Sequence, residues 1–308
     1  AVAISHAHLD HCGYLPRLWR QSYRGPIYLT PDTANLAEIV LRDSAHLQEE
    51  DAKYARKKGY SRHDHPEPLY DSDDAEGAIS LFHPVNFSHW QELPEGGRVR
   101  FLPAGHILGA ALVDLDLPGA KILHSGDLGQ GEHPLLVGPH VIPAVEYDAI
   151  LTESTYGARV HPPADDSLDQ IVSQTISRGG TVLIPAFAVD RTEVILAALT
   201  ESMDAGRIPR VPIYVDSPMA IRALTVYRHA IDSDHTEIRR EIRDHLKASD
   251  VFNPGTLETL RSPEESKSIN DAPPCIIISA SGMATGGRVL HHLKRLLPDE
   301  KNTVVLAG

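Results

Sequence analysis

The chain has 308 residues, 42% of them hydrophobic, with a formal net charge of −13. This length and composition exclude a disordered chain and a peptide-sized scaffold, and they suggest two domains. No run approaches the ~18 continuous apolar residues of a membrane span, and no secretory signal is present, so we expect a soluble protein without a membrane partner.

Two further properties of the composition bear on location and partners. Cys12 and Cys275 are the only cysteines, which implies no disulfide framework and predicts a cytoplasmic location. The acidic net charge argues against a nucleic-acid partner, because phosphate binding usually relies on basic residues. A metal site would add positive charge that residue counting misses.

In chain order, the first predicted elements are a buried strand and a long helix. Residues 1–5 form an apolar run that ends in a polar cluster, as a strand does where it reaches an active-site loop. The helix is predicted over residues 31–58, with Thr30 as N-cap, Pro31 at the first position and Gly59 just beyond the end.

The rest of the first half is predicted to be loops and a mixed sheet. Residues 63–97 are rich in His, Pro and acid, and are interpreted as loops with short strands at 79–82 and around Val85. The clearer strands are predicted at 99–102, 111–115, 121–124 and 149–152.

After Tyr156, strands and helices alternate regularly. Strands are predicted at 181–184, 212–215, 275–279 and 303–306, and helices at 168–177, 191–203, 218–230, 236–247 and 288–297. Such alternation predicts a parallel sheet with helices on both faces. The seam between the halves is expected near residues 157–166, where Gly, Pro and Asp cluster.

The strongest chemical signal is the segment from His6 to His11, which has four ligand-type side chains in six residues: His6, His8, Asp10 and His11. On an extended chain, His6 and His8 point the same way, and the turn that follows lets Asp10 and His11 face a second ion. A purely structural role is hard to explain, since each buried polar group would need its own partner.

Further ligands are predicted in two later loops. His106 follows the strand ending at 102 and lies between glycines, while Asp127 follows the strand ending at 124. Taken alone, His106 is typical of a core or loop histidine and Asp127 of a turn aspartate. The His-rich segment makes both candidate metal ligands.

These three segments resemble the second, third and fourth metal motifs of the metallo-β-lactamase fold. Four more segments, at 152–157, 180–192, 215–220 and 279–288, resemble signatures of its β-CASP branch of RNA- and DNA-processing nucleases. Glu153, in a Glu-Ser-Thr-Tyr-Gly context, is most similar to RNA-processing homologues of the polyadenylation endonuclease. The resemblance covers nearly the whole chain.

The resemblance implies an α/β fold: an incomplete metallo-β-lactamase αββα sandwich at residues 1–160, and an inserted β-CASP domain with a mainly parallel sheet at 161–308. We expect the chain to be an excerpt of a longer protein. The amino-terminal strands, a histidine acting on the leaving group and a last zinc-ligand histidine are not found in it.

The resemblance also implies the metal ligands and the chemistry. His6, His8 and His106 would hold one Zn²⁺, Asp10 and His11 the second, and Asp127 would bridge them. A hydroxide shared by two metals would attack phosphorus in line. Asp10, Asp127 and Glu153 are the predicted catalytic residues, and Glu153 would orient the leaving-group histidine.

Substrate-binding residues are predicted in the second half. The loop 279–287 offers backbone N–H groups to a phosphate, but it also fits a tight turn of small residues. Arg191 and Arg288, which open helices, are candidate phosphate partners, although an arginine there is often simply solvated. The predicted set is Arg191, Ser217, Ser281, Gly282 and Arg288.

The leading hypothesis is a zinc-dependent endoribonuclease, with 5′-to-3′ exonuclease activity in addition, acting on single-stranded RNA and compatible with a homodimer. One alternative is a small-molecule hydrolase of thioesterase or lactonase type, which would not need the second half of the chain. The other is a non-catalytic RNA-binding subunit, although such subunits tend to lose metal ligands.

Overall fold

The computed structural model describes residues 1–59, 61–142, 144–160 and 167–307. The chain forms two compact units, Ala1–Thr155 and Tyr156–Gly308. The boundary predicted after residue 160 lies next to residues 161–166, which are outside the described part. No helix of the described residues is long and apolar enough to cross a bilayer.

Unit 1 begins with a three-stranded parallel sheet whose order is β1-β2-β3. Its strands are β1 (Val2–Ala3), β2 (Ile27–Leu29) and β3 (Phe82–Pro84), and its helices are α1 (Leu9–Cys12), α2 (Leu15–Arg20), α3 (Pro31–Lys58) and α4 (Ser72–Ile79). The sequence pattern predicted β1 and α3 but left α1, α2 and β2 unassigned.

Helix α3 has the ends that its sequence predicts. The Thr30 hydroxyl accepts a hydrogen bond from the Thr33 N–H, and Pro31 takes the first helical position, where its missing N–H costs nothing. Gly59 adopts the left-handed conformation just past the last turn, with φ of 66°.

The predicted strand at 79–82 is wrong, because Ile79 ends helix α4 and the strand starts only at Phe82. Acidic residues start this helix: Asp71 and Asp74 form a capping box, each accepting a backbone N–H from the other. Arg20 then binds both carboxylates. A run interpreted as an acidic loop is therefore a capped helix.

The second sheet of unit 1 has the order β4-β5-β6-β7-β8. Its strands are β4 (Trp90–Glu92), β5 (Arg98–Pro103), β6 (Ala111–Leu117), β7 (Ala120–His124) and β8 (Ala149–Leu151), antiparallel except for the parallel pair β7 and β8. The predicted mixed sheet is confirmed. Tyr28 of the first sheet packs in one apolar cluster with Phe101 and Val113 of the second, so a core joins the two sheets.

Unit 2 is built on a parallel sheet of order β11-β10-β12-β9-β13, as predicted. The strands are β9 (Val182–Ala186), β10 (Ile213–Val215), β11 (Leu257–Thr259), β12 (Ile276–Ala280) and β13 (Thr303–Val304). The helices are α5 (Ser167–Ser177), α6 (Arg191–Asp204), α7 (Pro218–Asp232), α8 (Arg240–Arg243), α9 (Ala248–Phe252), α10 (Pro263–Ser268) and α11 (Val289–Leu296). Central strands β9, β10 and β12 are almost wholly buried, which explains their continuous apolar sequences.

The helix predicted over 236–247 is wrong. Only Arg240–Arg243 is helical there, and a separate short helix follows at Ala248–Phe252. Before Arg240, the Ile238 N–H donates to the carbonyl of His235, three residues back, so the chain forms a turn there.

Candidate metal centre

The His-rich segment lies at the carboxyl end of strand β1, where the chain leaves the sheet. His6 and the following Ala7 are completely buried. His8 keeps an extended backbone, with φ of −64° and ψ of 146°, and forms the N-cap of helix α1. The one turn of α1 then carries Asp10 and His11. The four candidate ligands thus come from an extended segment followed by one helical turn, as the spacing predicted.

His106 lies in the loop between β5 and β6, which is held against the start of helix α3. The Gly109 carbonyl accepts hydrogen bonds from the hydroxyls of Thr30 and Thr33, at 2.7 and 2.8 Å. Gly109 has a φ of 81°, and a Cβ there would collide with the backbone of Thr33. Glycine is therefore required for this close approach.

Asp127 lies in the loop that follows β7. Gly126, just before it, has a φ of 55°, and a Cβ there would come within 2.7 Å of the Ser5 Cβ. The glycine lets this loop pack directly against the segment that carries His6. Two loops and the end of β1 therefore meet at one edge of unit 1.

Four side-chain atoms converge at this edge: His6 Nε2, His8 Nδ1, His106 Nε2 and Asp127 Oδ2. They belong to a group whose ligand atoms all lie within 4.8 Å of one another. The His8 nitrogen is 3.2 Å from each of the other two nitrogens, and the Asp127 oxygen is 3.7 and 3.6 Å from those of His6 and His106.

These spacings fit a tetrahedral metal ion. Ligand atoms about 2.0–2.1 Å from a tetrahedral zinc lie about 3.3 Å from one another, close to the observed 3.2–3.7 Å. Burial, followed by the neighbouring His8, His11 and His106, lowers the pKa of His6 to about 2. The buried imidazole is therefore neutral, as a metal ligand must be.

A second group of donors lies beside the first. Asp127 Oδ1 is 3.2 Å from His11 Nε2, and that nitrogen is 3.5 Å from Asp10 Oδ2. The two carboxylate oxygens of Asp127 therefore face different donor groups.

Glu153 is in the loop after β8, next to the Asp127 loop. Its Oε1 accepts a hydrogen bond from the Leu128 N–H at 3.0 Å, and its Oε2 accepts one from the Thr155 N–H at 3.3 Å. The Leu128 hydrogen bond is the main reason that the pKa of Glu153 lies below its usual value. The carboxylate is ionised at neutral pH.

Cys12 is fully buried behind the His-rich segment, and its thiol lies 3.4 Å from the Ala7 carbonyl. Burial, with the nearby Asp10, raises the pKa of Cys12 to about 12. A protonated thiol is a poor ligand and nucleophile, so Cys12 has a packing role behind the site.

In unit 2, the candidate substrate residues lie where parallel strands end. Arg191 follows β9, Ser217 follows β10, and the loop with Ser281 and Gly282 follows β12. Gly282 packs against the Phe187 ring, which a Cβ would approach to 2.8 Å. These loops therefore share the carboxyl edge of the sheet, the usual position of ligand sites in parallel sheets.

The side chains at this edge differ in their exposure and in their hydrogen-bond partners. Arg191 is exposed, whereas Ser217 is buried and caps α7 by accepting the Ala220 N–H. The Arg288 guanidinium turns inward, donating to Asp216 and to the carbonyls of Leu260 and Arg261. The roles of Ser217 and Arg288 in substrate binding stay predictions, and both side chains have structural partners.

Asp216 is a functional candidate that the sequence pattern did not single out. Its buried carboxylate accepts hydrogen bonds from Ser266, Arg288 and His292. Burial alone would raise the pKa of Asp216, but hydrogen bonds from these three side chains hold it below its usual value. His292 is buried as well. Its partner is 76 positions away, so no local spacing reveals the pair.

Glu193 is the second residue without a signal in the sequence. It lies in the first turn of α6, is fully buried, and has no hydrogen-bond partner for either carboxylate oxygen among the described residues. Burial and the nearby Asp190 raise the pKa of Glu193 well above its usual value. The surroundings of Glu193 therefore favour the neutral acid over the carboxylate.

Comparison with known proteins agrees with these features. A model of the Beta-Casp domain matches residues 192–308. The chain is 38% identical over 312 residues to "Ribonuclease TTHA0252" of Thermus thermophilus, covering 100% of this chain and 67% of that protein. It is 34% identical over 313 residues to an "RNase J-like protein" of Methanocaldococcus jannaschii, covering 100% and 66%.

A more distant relative is the "Cleavage and polyadenylation specificity factor 73" of Drosophila melanogaster, 31% identical over 310 residues, or 99% of this chain and 42% of that protein. The chain spans about two thirds of the two prokaryotic relatives and less than half of the fly protein. Its full-length similarity and its metal-ligand geometry lead to one conclusion: the chain belongs to the β-CASP family of metallo-β-lactamase nucleases.

Proposed function

We propose that this protein is a dizinc ribonuclease that hydrolyses RNA phosphodiester bonds. The observation that carries the proposal is the convergence of three imidazoles and one carboxylate at the spacing of a tetrahedral zinc site. The relatives named as ribonucleases supply the substrate class.

The proposed ligands fall into two groups that share Asp127. His6, His8 and His106 hold one zinc ion, and Asp10 and His11 hold the other. Asp127 belongs to both groups, because its two oxygens face different histidines. Bound together, two zinc ions supply an activated water at neutral pH and stabilise the charge that develops on phosphorus.

The side chains around the site control water access, substrate access and the orientation of the proton donor. The burial of His6 keeps its ring neutral and excludes bulk water behind the site. Exposed Asp10 leaves the front of the site open to a large substrate. The ionised Glu153 carboxylate is available to orient the group that protonates the leaving oxygen, as the family resemblance implies.

Charge distribution supports RNA binding mainly by unit 2. Residues 1–155 contain 12 basic against 22 acidic residues, a net −10, whereas residues 156–308 contain 17 against 20, a net −3. In unit 2, exposed Arg191 and the N–H groups of the loop at Ser281 and Gly282 are the proposed phosphate contacts. The proposed substrate is single-stranded RNA, cut internally and also from the 5′ end.

We also propose a location, which the cysteines support, and an assembly, which the family resemblance implies. Cys12 and Cys275 are both buried and unbridged, which supports a reducing compartment, and we place the protein in the cytoplasm. A homodimer is the proposed assembly.

The test combines metal analysis with RNA cleavage. We expect the purified protein to contain two zinc ions and to cut an internally labelled single-stranded RNA. His106→Ala and Asp127→Asn should each lower the rate about 1000-fold or more, since about 1.4 kcal/mol of lost transition-state stabilisation costs a factor of ten. Exposed His63 lies outside the cluster, so His63→Ala is the matched control.

Three results would overturn the proposal. If the purified protein contains no zinc, the proposed metal centre is wrong. Zinc with hydrolysis of thioesters or lactones but not of RNA would favour the small-molecule hydrolase. RNA binding without cleavage by the zinc-loaded protein would favour the non-catalytic subunit.

A further inference from the structure

Two neighbouring loops at the metal centre are tied to each other by side chains. Strands β7 and β8 are parallel and pair through His124 and Leu151 at their carboxyl ends. The Ser125 N–H continues this pairing by donating to the Leu151 carbonyl at 2.9 Å. The loop that carries Asp127 and the loop that carries Glu153 therefore start side by side.

The link between the loops has two halves. Ser125 Oγ donates to the Gly126 carbonyl at 2.6 Å and accepts from the Glu153 N–H at 3.1 Å. In return, Glu153 Oε1 accepts from the Leu128 N–H at 3.0 Å. Both peptide neighbours of Asp127 are thus fixed, one through Ser125 and the other through Glu153.

The orientation of Asp127 is demanding, because its two oxygens must face two different donor groups at once. Its Oδ1 is 3.2 Å from His11, whereas its Oδ2 is 3.6 Å from His106. A small rotation of the backbone at residues 127–128 would move one oxygen out of range. The Leu128 N–H, which would move with this rotation, donates its hydrogen bond to the Glu153 carboxylate.

We propose that Glu153 is a positioning residue for the metal centre: by accepting the Leu128 N–H, it holds Asp127 in the orientation that bridges the two donor groups. This inference rests on the proposed metal site and adds a role that precedes any proton transfer. This positioning role of Glu153 needs a hydrogen-bond acceptor at Oε1 but not a negative charge. Partners that orient metal ligands typically contribute about 10- to 100-fold to metal affinity.

The test compares Glu153→Gln with Glu153→Ala in the full chain. Glutamine keeps an acceptor oxygen at the same reach, whereas alanine removes it. We expect Glu153→Ala to bind Zn²⁺ about 10- to 100-fold more weakly in a chelator competition, and to change the visible spectrum of the Co²⁺-loaded protein. Glu153→Gln keeps the acceptor for Leu128 but loses the one for Thr155, so it should bind Zn²⁺ clearly more tightly than Glu153→Ala.

The matched control is Glu132→Ala, which removes an exposed carboxylate from the loop that carries Asp127 and should leave both readouts unchanged. If the alanine variant does not fold by circular dichroism, Glu153→Asp replaces it. That carboxylate is one methylene too short to reach Leu128, so the same loss of affinity is expected.

The outcomes separate this inference from the proposed function. Wild-type protein that binds no zinc would refute the metal centre itself. If the wild type binds zinc and Glu153→Ala binds it equally tightly, the positioning role is wrong. If Glu153→Gln is as weak as Glu153→Ala, the charge matters rather than the hydrogen bond, and the inference is also overturned.

Discussion

Arg288 Nη1 lies 2.6 Å from Asp216 Oδ1, and this ion pair turns the arginine into the interior of unit 2. Asp216 is fully buried, and its other oxygen is bound by Ser266 and His292. The Ser279 hydroxyl donates to the Asp216 backbone carbonyl. Contacts with Asp216 therefore fix the loop between β12 and α11 at both ends, at Ser279 and at Arg288.

Asp216→Ala should destabilise unit 2 strongly. Removing one partner of a buried ion pair leaves the other charge uncompensated and typically costs about 3–5 kcal/mol. The measurement is urea unfolding followed by circular dichroism. Asp271→Ala is the control, because Asp271 is fully exposed where it pairs with Arg295. Equal stability of Asp216→Ala and wild type would contradict a structural role for the network.

Arg191 should contact RNA phosphates, since it is exposed beside the loop edge where ligands are expected. Arg191→Ala should weaken RNA binding for all sequences and reduce the slope of log affinity against log salt by about 1. The measurement is RNA affinity at several salt concentrations, with Asp127→Asn present in every variant so that the RNA is not cut. Arg207→Ala removes an arginine that pairs with Asp169 and should leave the slope unchanged; the same slope in both variants would count against Arg191.

Glu193 should make the protein less stable as the pH rises. Its folded pKa is raised, so between the ordinary value of 4.5 and the folded value the native state holds a proton that the unfolded chain has lost. Stability therefore falls with rising pH in that window, by at most about 1.4 kcal/mol per pH unit.

The variant Glu193→Gln keeps the shape but cannot ionise, and it should flatten the pH dependence above pH 5 in thermal unfolding. Glu201→Gln, an exposed position of the same helix, should follow the wild-type curve. Identical curves for wild type and Glu193→Gln would show that Glu193 is not held neutral.

Gly109→Ala should damage the metal centre, and Gly119→Ala should not. Both glycines have a positive φ, of 81° and 85°, but only Gly109 is packed against other backbone. A left-handed conformation costs a residue with a Cβ about 1–2 kcal/mol, so both variants lose stability. Only Gly109→Ala must also shift the His106 loop, and we expect it to bind less zinc by elemental analysis. Equal zinc contents would contradict this.

Much of the fold was readable from the sequence where local signals and tertiary packing agree. Helix α3 has its cap, proline and glycine at the predicted places, and the buried strands of unit 2 are continuous apolar runs. The prediction of a loop at 71–78 and a strand from Ile79 is wrong because acidic residues also start helices. Here Asp71 and Asp74 satisfy the N–H groups of a helix start.

The candidate metal site could be predicted from the sequence because its ligands follow strand ends, where the chain order alone predicts proximity. Asp216 and Glu193 could not be found in this way. Asp216 owes its importance to His292 and Arg288, which are distant in sequence, and Glu193 looks like any acidic residue in a first helical turn. Only burial distinguishes them.

The shared contact of Thr30 and Thr33 with the Gly109 carbonyl has a consequence for motion. The hydroxyl that caps the 28-residue helix α3 also donates to the loop of His106. Fraying of the first helical turn and opening of that loop must therefore break the same bonds. The backbone amides of both segments should exchange with solvent deuterium at one common free energy, as a single cooperative unit.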